Sequence, residues 1–88
     1  MKIEVKKFGT HLISRPEGRD AALVLRNQFL NKTSDSELIF DFEGVLVLTP
    51  SWLDEVLQEV LKTHQQSQVR FENTLNSSVA ASIETVVS

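Results

Sequence analysis

The chain has 88 residues, of which 41% are hydrophobic and 24% are charged, with no cysteine and a formal net charge of −3. These values are typical of one small globular domain, and the missing cysteines exclude disulfide stapling and thiol catalysis. The acidic pI of about 5.3 and the scattered basic residues argue against nucleic-acid binding. We therefore expect residues 1–88 to form a single domain with no nucleic-acid partner.

The charges are distributed unevenly. Residues 1–32 hold seven Lys and Arg side chains against three acids, a sum of +4, whereas residues 33–88 hold two against nine, a sum of −7. One interpretation is a basic face for an anionic partner. The other, which we favour, is that the two segments pack together and neutralise each other.

No apolar run approaches the ~18 residues that span a bilayer. The start, Met1-Lys2-Ile3-Glu4, lacks the apolar stretch of a signal peptide. We expect a cytoplasmic protein without membrane association.

The first residues predict an edge strand. Ile3 and Val5 alternate with charged residues between Lys2 and Lys7, which is typical of a strand with one face in water. Gly9 ends this pattern, and Thr10 to Ile13 are predicted as a short second strand folded back on the first.

A helix and a loop follow. Ser14 and Glu17 have the spacing of a capping box, which predicts a helix from Ser14 to about Asn31. Gly18 is expected to weaken its first turn by ~1 kcal/mol relative to alanine. The polar segment Asn31 to Ser36 is predicted as a loop, because its side chains readily bond to their own backbone.

The central part predicts a buried strand and a strongly amphipathic helix. Leu38 to Phe42 is a nearly unbroken apolar run that Gly44 interrupts. Thr49 is placed to cap the next helix, and Pro50 suits its first position because no needed N–H is lost. The predicted buried face has a 3.6-residue period and consists of Leu53, Val56, Leu57, Val60 and Leu61.

The last third predicts one more strand and helix. Val69 to Glu72 alternates like a short strand, and residues 79–87 have apolar residues at helical spacing. The expected fold class is α/β, a small mixed sheet of three or four strands packed with three helices in the order β(β)αβαβα. If one face of that sheet is uncovered, an exposed Ile39 would indicate pairing with a second copy or another partner.

Four segments carry a family resemblance. The motifs DFEGV at residues 41–45 and LTPS at residues 48–51, followed by an acidic, apolar helix, resemble the STAS-like domains, small relatives of the bacterial anti-sigma-factor antagonists. The segments ISRPEGR at 13–19 and FEN at 71–73 are similar to the same family, which has no assigned activity. The resemblance implies a regulatory α/β domain of the bacterial cytoplasm, with a kinase-like ATPase or another regulator as its partner.

In the antagonists, a phosphorylatable serine lies at the start of the helix that follows the central strand. In the corresponding segment here, Pro50 takes the place of that serine, Ser51 is its neighbour and Thr49 takes an acidic position. The known switch therefore does not carry over directly. The candidate partner-binding or phospho-acceptor residues are Thr49, Ser51, Trp52 and Asp54, although a lone tryptophan here is more often part of the core rim.

Three further residues are candidates for a site. Arg15 and Arg19 lie one helical turn apart and could contact an anion or a partner. The alternative, which we favour, is that Arg19 pairs with Asp54 or Asp41 and joins two helix starts. Asp41 ends the central strand, where open α/β sheets bind ligands, but the interpretation that we favour is that it accepts bonds from the turn amides around Gly44 or pairs with an arginine.

The sequence contains no phosphate-binding loop or catalytic motif, and His11 and His64 have no neighbours of ligand type. We expect no enzyme activity, no cofactor and no metal. Our hypothesis is a non-catalytic regulatory protein-interaction module. One alternative is a structural homodimer, and the other is a small-ligand or nucleotide sensor whose single pocket is formed by Arg15, Arg19, Asp41 and Ser51.

Overall fold

A computed structural model describes residues 1–30 and 36–87. Within these ranges the strands are β1 (Lys2–Glu4), β2 (His11–Leu12), β3 (Leu38–Asp41), β4 (Val47–Leu48) and β5 (Val69–Glu72), and the α-helices are α1 (Arg15–Gln28), α2 (Pro50–Val60) and α3 (Ser77–Val87). The predicted α/β fold is confirmed, with β4 as an additional strand. The predicted loop lies outside the described residues, apart from Ser36.

Two parallel sheets form the framework. The larger sheet has the order β1-β3-β5, and the smaller one pairs β2 with β4. The prediction that β2 folds back on β1 is wrong. A 3₁₀ helix at Val5–Phe8 and Gly9, with φ of 134°, turn the chain away from β1. The carbonyl of Thr10 then accepts the N–H groups of Leu46 and Val47, which places β2 beside β4.

The helices α1 and α2 begin as their sequences predict. The backbone N–H of Glu17 donates to Ser14 Oγ at 3.2 Å, and the Ser14 hydroxyl donates to Glu17 Oε1 at 2.8 Å. At α2, Thr49 Oγ1 accepts the N–H of Trp52. Each cap satisfies an N–H group that the helix itself leaves without a partner.

The core lies between the larger sheet and the helices. Four of the five residues on the predicted face of α2 are buried, and Leu53 is 0% exposed. The assignment of Leu61 to this face is wrong, because its side chain is 46% exposed. The helix ends at Val60 and Leu61 is its C-cap, where its side chain lines an apolar groove together with Leu57 and stays partly in contact with water.

The uneven charges are neutralised between α1 and α2. Arg15 Nη1 lies 3.1 Å from Asp54 Oδ2 and 3.1 Å from Glu55 Oε1, and Arg26 Nη1 lies 3.5 Å from Glu59 Oε1. The arginines of the basic segment therefore face the carboxylates of the acidic one. This confirms the interpretation that the two halves neutralise each other.

The larger sheet has one buried face and one polar face. The row on the face toward the helices is Ile3, Phe40 and Phe71, and the row on the outer face is Lys2, Ile39 and Arg70. Ile39 is half-buried and its two neighbours in the row are exposed. Lys2 also lies 3.5 Å from Glu72 on this face. The outer face therefore carries cross-strand ion pairs, which are compatible with contact to water.

Candidate functional site

The start of α2 is tied firmly to the strand β2. The Thr49 hydroxyl donates to the carbonyl of Ile13 at 2.6 Å, and the Thr49 N–H donates to the carbonyl of Leu12 at 3.0 Å. The same hydroxyl oxygen accepts the N–H of Trp52 at 3.4 Å. Because this hydroxyl serves both contacts, Thr49 has a structural role and phosphorylation there would break the cap.

Ser51 and its neighbours form a surface that we call the α2-start surface, consisting of Ile13, Arg15, Pro50 and Ser51. Pro50 is exposed and Ser51 is half-buried in the first turn of α2. Ile13 is a large apolar side chain that is 52% exposed, and its carbonyl is held beside Thr49. The sequence prediction missed Ile13, although its place just beyond the buried Leu12 was a signal that it points outward.

The two arginines bond to α2. Arg15 contacts Asp54 and Glu55, and Arg19 Nη2 lies 3.5 Å from Glu55 Oε1. Hydrogen bonds to Asp54, and then to Glu55, raise the pKa of Arg15 above its ordinary value. The favoured alternative holds in that Arg19 joins the two helix starts. Its partner is Glu55, however, whereas the predicted partner was Asp54 or Asp41.

Trp52 lies in the interior. Its side chain is 2% exposed, and its ring centroid is 6.0 Å from that of Phe8. The backbone of Trp52 approaches Gly18 so closely that a Cβ built on Gly18 would lie 2.6 Å from the Trp52 carbonyl oxygen. The structure therefore corrects the inclusion of Trp52 among the contact candidates, because the residue packs α1 against α2.

Asp41 holds together the ends of two strands. Asn73 Nδ2 donates to Asp41 Oδ1 at 2.6 Å, and the N–H of Glu43 donates to the same oxygen at 3.0 Å. These two bonds, together with nearby Lys2, outweigh burial and lower the pKa of the Asp41 carboxyl. The alternative that Asp41 accepts bonds from the turn therefore accounts for its position. The bond from Asn73 is an additional contact that the sequence did not indicate.

This arrangement predicts an acid-dependent contribution to stability. Because the folded pKa of Asp41 lies below the unfolded value of about 3.9, the contribution is complete above that value and is lost as the pH falls through the folded pKa. At about pH 6.5 we expect Asp41→Asn to cost about 1 to 2 kcal/mol, because a charge-assisted hydrogen bond is replaced by a neutral one. Urea unfolding of both proteins from about pH 6.5 to pH 2 measures the difference.

The expected difference between the two proteins shrinks toward the acid end of this range. A difference that stays constant with pH would contradict the assignment. Asn73→Gly provides a control, because it removes the donated bond while it keeps the positive φ of 57° accessible.

An apolar groove lies between α2, β5 and α3. Its volume is about 190 Å³, and its apolar lining consists of Leu57 and Leu61 of α2, Val69 and Phe71 of β5, and Val86 and Val87 of α3. The sequence did not indicate this groove, because it forms only when α3 packs beside α2.

Comparison with known proteins decides the family. A family model described as STAS-like domain of unknown function (DUF4325) matches residues 21–79. The chain belongs to this family. No curated protein and no solved structure matches it. The match to the STAS-like domain extends from α1 to the start of α3 and includes Asp41, Thr49 and Ser51, whereas Arg15 and Arg19 precede it.

Two negative findings apply to residues 1–30 and 36–87 of the STAS-like domain. No helix there is long and apolar enough to cross a membrane. No group of three or more His, Asp or Glu side chains there is placed to hold a metal ion.

Proposed function

We propose that this STAS-like domain is a non-catalytic regulatory module that binds a protein partner through the α2-start surface. The observation that carries the proposal is the exposed Ile13 beside the first turn of α2. An apolar side chain next to a helix N-terminus offers a partner an area to bury, and the helix dipole there favours a negatively charged or hydrogen-bond-accepting group of the partner. By analogy with the antagonists, the partner is a kinase-like ATPase or another regulatory protein in the bacterial cytoplasm.

Ser51 is the residue at which this surface would be switched. It occupies the second position of α2, where the helix dipole favours negative charge. A phosphate there would therefore leave the helix folded. It would also place a dianion beside Ile13, which changes the surface that the partner contacts.

The sensor alternative receives less support from the geometry. Arg15 and Arg19 bond carboxylates of α2, whereas Asp41 bonds Asn73 at the end of β5. These side chains therefore belong to two separate hydrogen-bonded groups, and a single polar pocket around them is not supported. The apolar groove includes none of the three residues.

The test compares two glutamate substitutions. Ser51→Glu is expected to change the affinity for a partner purified from the host by at least about tenfold, which corresponds to about 1.4 kcal/mol. Ser67→Glu is the matched control, because Ser67 is exposed in the connection between α2 and β5. Ile13→Ser should weaken binding as well, through loss of apolar contact.

Thermal melts first establish that each variant is folded, and titration calorimetry then gives the affinities. If folded Ser51→Glu and Ile13→Ser bind as tightly as the original chain, the α2 start is a purely structural helix cap. If Ser67→Glu alone changes the affinity, the partner binds elsewhere on the molecule.

A further inference from the structure

The strand β5 is an edge of the larger sheet. It pairs with β3 on one side, and the strand order places no further strand of the described chain beyond it. The Glu72 carbonyl accepts the N–H of Phe42 at 3.0 Å, so the polar backbone groups of Glu72 point toward β3. Because neighbouring residues of a strand point their backbone groups to opposite edges, the N–H and C=O of Phe71 point away from the sheet.

We propose that β5 pairs antiparallel with β5 of a second copy, around a two-fold axis at Phe71. In an antiparallel pair, the side chains of two directly opposite residues lie on the same face of the sheet. The two-fold axis must therefore pass between a residue and its own copy, because any other position would place buried and exposed side chains opposite each other. An axis at Arg70 would place two arginines opposite each other. An axis at Phe71 places Arg70 opposite Glu72 of the second copy, and does so twice.

Of these two registers, the charges of the strand favour the one with its axis at Phe71. In that register the N–H of each Phe71 donates to the C=O of the other, which satisfies the two outward groups. The Arg70 and Glu72 pairs lie on the outer face, where Arg70 is exposed and Glu72 is half-buried. The two Phe71 rings lie on the opposite face, and each lines the apolar groove of its own copy. The contact is isologous and closes at two copies.

Both charged residues can be redirected toward a second copy. Arg70 Nη1 now lies 3.5 Å from Glu37 Oε1, and Glu72 Oε1 lies 3.5 Å from Lys2 Nζ. These are long, exposed ion pairs, which contribute little to stability. Intermolecular pairs of the same kind can replace them with small loss.

The pairing is short, so the dimer should be weak. Four residues per copy form much less than the ~1,200 to 2,000 Å² interface of a stable complex, and we expect a dissociation constant of about 0.1 to 1 mM. The β5 edge is separate from the α2-start surface. The dimer can therefore fail without consequence for the proposed function, and the reverse also holds.

The test is a charge exchange followed by sedimentation equilibrium. Arg70→Glu places two glutamates opposite each other in the paired strands, and Glu72→Arg places two arginines opposite each other. Each change should raise the dissociation constant at least about tenfold, because like charges directly opposite in a sheet repel. The double variant restores both opposite-charge pairs and should dimerise like the original chain.

Mixing the two single variants provides a sharper measurement. One copy then has two acids and the other has two arginines, so the mixture should form a heterodimer although neither variant dimerises alone. Lys6→Glu and Glu43→Arg are controls with the same changes in net charge at exposed positions. Amide NMR spectra establish that every variant is folded.

Two results would overturn the proposal. One is a chain that remains monomeric at concentrations of about 2 mM, well above the expected dissociation constant. The other is a dimer that Arg70→Glu weakens no more than Lys6→Glu does, or that the double exchange fails to restore.

Discussion

Gly18→Ala is expected to destabilise the domain by about 1 to 3 kcal/mol, although alanine is the better helix former by ~1 kcal/mol. The reason is the contact between α1 and the start of α2. The new methyl group would lie 2.6 Å from the carbonyl oxygen of Trp52 and 2.9 Å from its Cα. Both are backbone atoms within a capped helix, so the two helices must separate to admit it.

Urea unfolding of Gly18→Ala measures this cost, and Asn27→Ala is the control. Asn27 is exposed on the same helix, so its replacement tests helix propensity alone and should be neutral or slightly stabilising. The sign of the first result is decisive. If Gly18→Ala raised the free energy of unfolding, the close approach of α1 to α2 would not exist.

Leu53→Ala is expected to lower the free energy of unfolding by about 2 to 5 kcal/mol. Leu53 is fully buried at the centre of the core, in the first half of the helix with the most regular apolar face. The loss combines the transfer of apolar surface with the cavity that remains. In a domain of 88 residues, where total stability is about 5 to 15 kcal/mol, this is a large share.

Leu61→Ala is the matched control, because it removes the same atoms from a side chain that is 46% exposed at the end of the same helix. We expect it to cost less than about 1 kcal/mol. Equal losses for the two variants would show that Leu61 is buried and that α2 faces the core differently.

The helix α2 shows how much of the fold the sequence could predict. Thr49 and Pro50 indicate where the helix starts, and its 3.6-residue period indicates the buried face. All three signals are local properties of the sequence. The prediction was wrong at Leu61, which is the C-cap of the helix and lines the apolar groove beside α3. The strand β2 was predicted from the sequence, but β4 and its pairing with β2 were not, because that pairing depends on contacts distant in the sequence.

In the candidate site, too, the features that depend on neighbouring residues could be predicted, and those that depend on distant contacts could not. Thr49 as a cap follows from its neighbours in the sequence, and so does the placement of Ser51 in the first turn. The bond between Asp41 and Asn73 joins residues that are 32 positions apart, and Gly18 matters only because Trp52 lies against it. Each of these depends on which elements meet, and periodicity within one element carries no information about that.

The tryptophan that packs against Gly18 is also a natural fluorescent probe of this contact. Trp52 is the only tryptophan in the chain, and there is no tyrosine, so the intrinsic emission comes almost entirely from one buried indole. This indole belongs to the residue next to Ser51 and packs against Phe8. An event at the α2 start that loosens the two helices would expose the indole to water and shift its emission to longer wavelength, so it could be followed without any label.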